Sequence, residues 1–170
     1  MEFTYLKKLN NMRLKTFLLF FTVALFSSNL VFSQLLVNKG STIKVTKGAV
    51  LYIDGGLENN NSGIIDVDNI GGTSEIIVKE NFVNYATAEG SGYYKIYGDW
   101  VNNNTFNAGS GTVFLEGANQ LISGSHSTNF YNLTLNGSGI KTLGVNQSCS
   151  KHSQLQILRY KPCNNCNHTC

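Results

Sequence analysis

The chain superposes on itself. Residues 51–60, 76–85 and 94–103 align, residues 113–119 follow more loosely, and residues 133–137 make a weaker fifth copy. Each copy runs through alternating apolar and polar residues into a Gly- or Glu-bearing corner. The first three then continue with a large apolar residue and an asparagine. Taking Ile53, Val78, Ile96, Leu115 and Leu135 as equivalent, the intervals are 25, 18, 19 and 20 residues. A repeat of this size that cannot bury its own apolar face must stack on its neighbours to share one interior.

Period-two alternation over four or five residues rich in Val, Ile, Tyr and Phe makes short, half-buried strands. Helix is opposed by the 17 glycines, all lying between Gly40 and Gly144, and by the 16 asparagines of residues 34–148. Gly and Asn instead supply tight corners. The single proline, Pro162, lies outside the repeats, so no ladder is interrupted. The expected fold is all-β: a short, single-stranded, right-handed parallel β-helix of about five coils. A β-sandwich of hairpins is the alternative, because the intervals are irregular.

That fold assigns faces. Ile53, Val78, Ile96 and Leu115 point inward, together with Leu51, Ile76, Tyr94 and Val113 two residues earlier. Leu57, Phe82 and Trp100, each four residues on, are expected to stack as large core side chains. Asn59, Asn84 and Asn102 align at a corner, where stacked amides bond to one another and to backbone groups. Tyr52, Ile77, Lys95 and Phe114 then form an outward row, with Asp54, Lys79, Tyr97 and Glu116 beside it.

Charge and composition divide the chain into three. Residues 1–33 carry Lys7, Lys8, Arg13 and Lys15 ahead of a ten-residue apolar run, Phe17 to Phe26, and end in Val31-Phe32-Ser33. This is the pattern of a signal peptide cleaved after Ser33. Residues 34–148 hold six lysines against nine acids, a net of −3, which excludes a basic nucleic-acid module. Residues 149–170 lack glycine and contain all four cysteines: Cys149, Cys163, Cys166 and Cys170. In an exported chain these would form two disulfides in one of three pairings; with His152 and His168 they could ligate zinc. The abrupt change in mid-repeat favours a third reading, a frameshifted or prematurely ended continuation of the repeat.

Residues 96–117 and the stretches 120–124 and 130–135 resemble the Gly/Asn-rich repeats of large secreted or surface proteins of Bacteroidetes. The resemblance covers roughly residues 41–147. It implies a β-helical stalk, in proteins many of which leave the cell through a type IX system. Such proteins usually run on for many more coils, so the chain is expected to be a fragment of a longer cell-surface protein.

Residues for chemistry are sparse. Asp66-Val67-Asp68 places two carboxylates on one strand face, but Ile70 stands where a calcium loop would need oxygen. Residues 34–148 contain no arginine, and their one histidine, His126, lies in a Ser/Thr/Gly loop. The expectation is an exported, non-enzymatic structural or adhesive repeat protein, secreted or at the cell surface, with no catalytic residue, metal or cofactor. A polysaccharide-binding or polysaccharide-cleaving β-helix is the alternative. Candidate ligand-binding residues are Tyr52, Lys95, Tyr97 and Phe114 of the outward ladder, where rings could stack on sugars or protein surfaces. Expected partners are surface glycans or other surface proteins, and further copies meeting at open solenoid ends. Nucleic acid is not expected, and membrane contact is expected only during export.

Overall fold

The computed structural model describes residues 34–144 in full and residues 147–149 and 160–161 by their backbone. All described secondary structure is strand, and every strand pair is parallel. The first coil is β1 (Gln34–Lys39), β2 (Thr42–Val45) and β3 (Val50–Ile53); the second is β4 (Gly55–Asn60), β5 (Ile64–Val67) and β6 (Glu75–Val78). The third is β7 (Phe82–Asn84), β8 (Thr87–Glu89) and β9 (Tyr93–Ile96), and the fourth β10 (Trp100–Asn102), β11 (Thr105–Asn107) and β12 (Thr112–Leu115). The fifth is β13 (Gln120–Ser123), β14 (Thr128–Phe130) and β15 (Asn132–Leu135), followed by β16 (Lys141–Leu143), β17 (Gln147–Cys149) and β18 (Tyr160–Lys161).

Successive coils contribute to the same three sheets. Sheet 1 has the order β1-β4-β7-β10-β13-β16-β18, sheet 2 β11-β8-β5-β2, and sheet 3 β15-β12-β9-β6-β3; β14 and β17 form a separate pair. The fold is therefore a β-solenoid of about five turns, and the antiparallel sandwich is excluded. The register reproduces the sequence alignment residue for residue: Ile53, Val78, Ile96, Leu115 and Leu135 are ladder partners.

One interior runs through the stack, as period-two strands with apolar inward faces require. In sheet 1, Leu36, Leu57, Phe82, Trp100, Ile122 and Leu143 stand one above another. The Phe82 and Trp100 rings lie 4.6 Å apart, and Trp100 also meets Phe106 at 4.9 Å and Phe130 at 5.5 Å. Its indole N–H donates to Thr128 Oγ1 at 3.0 Å, so the largest buried ring leaves no polar group unmet. Tyr94 is likewise interior; its hydroxyl donates to the carbonyl of Glu89 at 2.6 Å, and burial raises its pKa above the ordinary tyrosine value.

The corner from sheet 1 to sheet 2 is held by asparagines. Asn38 Nδ2 donates to Asn59 Oδ1 at 3.0 Å, Asn59 to Asn84 at 3.0 Å, and Asn84 to Asn102 at 2.9 Å. The same amides reach the start of sheet 2, Asn59 donating to Thr87 O at 2.8 Å and Asn84 to Thr105 O at 2.9 Å. The expected trio of stacked amides is present, and Asn38 extends it to four. The ladder stops at Gly124, where φ is +123° and a Cβ would lie 1.9 Å from the carbonyl oxygen of Asn102. No side chain fits there, and β14 does not join sheet 2.

Candidate functional site

The outward residues of sheet 3 form an array of three columns. Ladder pairing puts Tyr52, Ile77, Lys95, Phe114 and Thr134 in the central column. Glu75, Tyr93 and Thr112 stand in a flanking column. On the other side are Asp54, Lys79, Tyr97 and Glu116, each one residue past its strand's inward Ile53, Val78, Ile96 or Leu115. Because side chains alternate across a strand, every second residue of β3, β6, β9 and β12 must lie on this face once Ile53 and its equivalents are buried.

Tyr52, Lys95 and Phe114 thus share one column and Tyr97 lies in the next, so all four sequence-derived candidates meet on one face. Tyr52 is 56% exposed, while Lys95, Tyr97 and Phe114 are half-buried. Three rungs separate Tyr52 from Phe114, about 14 Å at ordinary strand spacing. Tyr93, which sequence reasoning passed over, packs edge-on against Phe114 at 5.2 Å. Its position two residues before Lys95 was the available signal.

The charges on this face are matched across rungs. Lys95 Nζ pairs with Glu75 of the preceding coil. Lys79 Nζ lies 3.3 Å from the centroid of the Tyr97 ring, whose hydroxyl donates to Glu116 Oε2 at 2.9 Å. That hydrogen bond to Glu116 is the chief cause holding the Tyr97 phenol above its ordinary pKa, so it stays protonated and donating. A cation on a ring, a ring on an acid and a salt bridge fix the side chains with little freedom left to lose on contact. The result is a ring-bearing surface whose Lys79, Lys95, Glu75 and Glu116 are each held by a neighbouring side chain.

Elsewhere, Asp66 and Asp68 project from the outer side of sheet 2 and are met by Lys44 Nζ at 2.5 and 3.8 Å. His126 is exposed, with Nδ1 3.2 Å from Ser125 Oγ. Among the described residues no group of three or more His, Cys, Asp or Glu converges on a point that could hold a metal ion. A shallow depression is lined by Asp99, Asn119, Gln120, Leu121, Ile140 and Thr142. Its polar groups are turned to corner backbone: Asp99 accepts from Leu121 N at 2.8 Å and Asn119 from Ile140 N at 2.9 Å.

The leader, residues 1–33, and Cys163, Cys166 and Cys170 lie outside the described residues, as does the side chain of Cys149. No helix of the described residues is long and apolar enough to cross a membrane. No protein-family model, curated protein or solved structure matches the chain.

Proposed function

We propose that the protein is an exported, non-enzymatic structural or adhesive solenoid whose sheet 3 outer face contacts surface glycans or other surface proteins. The observation that supports this reading is the ring-bearing face itself. Tyr52, Tyr93, Tyr97 and Phe114 share it on three of four stacked rungs, with Lys95 paired to Glu75 and Tyr97 bonded to Glu116. Rings on a rigid sheet offer apolar stacking surface at small entropic cost. The basic-then-apolar leader pattern supports export, to the medium or the cell surface.

The test is retention of the purified protein on immobilised surface glycans. Replacing both Tyr52→Ala and Phe114→Ala is expected to reduce retention at least tenfold while the far-UV β signal stays unchanged. Equal retention of the double variant rejects the reading. Incubation with acidic polysaccharides, with and without calcium, addresses the enzymatic alternative: growth of unsaturated-product absorbance would replace the structural reading with a lyase.

A further inference from the structure

The first coil is unlike those stacked on it in cover, edge pairing and charge. Leu36 begins the Leu57-Phe82-Trp100 column yet is 37% exposed, whereas those three are fully buried. Ile43 and Leu51 are only partly buried, although their ladder partners Ile65 and Ile76 are completely so. Each of β1, β2 and β3 is the terminal strand of its sheet among the described residues, with one edge paired and the other facing outward. An apolar interior therefore meets solvent, ringed by backbone donors and acceptors.

Charge singles out the same end. Residues 34–54 carry Lys39, Lys44 and Lys47 against Asp54, a net of +2, while residues 55–144 carry eight acids and three lysines, a net of −5. Lys44 is engaged by Asp66 and Asp68. Lys39 and Lys47 are exposed and have no carboxylate within 4.0 Å among the described residues.

These features narrow what can cover the end. A lipid surface offers nothing to satisfy a row of backbone N–H and C=O groups, and open sheet edges are excluded from hydrocarbon for that reason. Two first coils face to face would oppose their lysines. The far coil, residues 117–144, brings Lys141 and no acid, so it supplies no opposite charge either. What fits is a different polypeptide, extended and acidic, able to add as one more strand.

We propose that the outward edge of β1 is a docking edge for an acidic, extended segment of another protein. That segment continues the sheet 1 ladder with an apolar residue over Leu36 and a carboxylate beside Lys39. This surface is separate from the sheet 3 face and stands or falls independently of it.

The probe is a synthetic peptide of the chain's own residues 54–67 carrying Asn60→Asp, which in the β1–β4 register sets Leu57 at Leu36 and the new carboxylate at Lys39, with Asp54, Glu58 and Asp66 adding to its acidity. Added to the purified protein, it is expected to slow amide exchange at residues 34–39 at least tenfold. Its dissociation constant should rise at least tenfold when the peptide acids are replaced by amides. Leu36→Lys in the protein should abolish binding, while Leu121→Lys, at a site of equal exposure on the outside of sheet 1, should leave it intact. Lys39→Glu, which leaves the core untouched, should weaken the acidic peptide selectively and keeps the test decisive if Leu36→Lys misfolds. Unchanged protection at 34–39, equal affinity for the neutral peptide, preferential binding to anionic phosphatidylglycerol vesicles, or peptide-free dimerisation that protects the same amides would each overturn the proposal.

Discussion

Coils one to four and the fifth coil solve the same problem at different corners. In the first four, short asparagine amides fix the turn from sheet 1 into sheet 2, each bonded to a neighbouring asparagine amide and to backbone carbonyls. In the fifth, Gly124 replaces the asparagine and β14 leaves sheet 2. Support moves to the turn from sheet 3 into sheet 1. There Gln120 accepts from Gly117 N at 2.9 Å and donates to the carbonyls of Ile96 and Gly98. In the next rung Lys141, the ladder partner of Gln120, donates to Gly117 O at 2.5 Å, Ala118 O at 3.0 Å and Gln120 Oε1 at 2.6 Å. A stack can thus change which corner it anchors, provided that every buried carbonyl there still finds a donor.

The residue that joins the two regimes should matter most. Trp100→Ala removes the ring shared by Phe82, Phe106 and Phe130 and the bond to Thr128, and should cost about 3–5 kcal/mol in denaturant unfolding. Within the laddered region, Asn84→Ala takes the donor from Asn102 Oδ1 and from Thr105 O, and should cost about 2–3 kcal/mol. A double-mutant cycle with Asn59→Ala should show a coupling of about 1 kcal/mol; strict additivity would mean that the amides do not act as a chain. At the other corner Gln120→Leu leaves Gly117 N and the carbonyls of Ile96 and Gly98 without this partner, and should cost a similar amount, about 2–3 kcal/mol.

A subtler contrast lies in pH. Burial lowers the pKa of Lys141 from its ordinary 10.5, while the asparagine corner has no titrating group. Between that lowered value and 10.5 the unfolded chain binds more protons than the folded one, so this lysine makes stability rise with pH through that window. Lys141→Met should flatten the rise in melting temperature over the alkaline range, and a slope unchanged by the substitution would place the titration elsewhere. Tyr52→Ala, on the open face of sheet 3, should shift stability by no more than about 0.5 kcal/mol.

Sheet 3 was the most legible part of the chain. Its inward column, Ile53 to Leu135, follows period-two alternation without bulges, so alignment alone recovered the register. The outward candidates followed from the same parity, which places residues on a face without saying what they bind. Sheet 2 was hidden because its inward column, Ile43, Ile65, Ala88 and Phe106, varies too much in size to register as a repeat. Asn38 escaped because only the apolar-x-Asn phrase of Leu36-Val37-Asn38 marks it, and no earlier rung precedes that phrase to set its phase. The fourth copy looked loose for a physical reason. The equivalent of Trp100 is Ile122, seven residues past Leu115, where earlier copies need four, and Gln120 fills the widened corner.

The amide thread also bears on how such a protein can change length. Every link runs the same way, from the nitrogen of one asparagine to the oxygen of the next along the rod. Any inserted turn that brings its own apolar-x-Asn phrase would splice into this relay without reversing a neighbour. A shift of a single residue would instead turn the amide outward and bury its neighbours. Whole turns of differing length can therefore be added or removed with the relay intact, and single-residue changes fit in the corners but not within a strand.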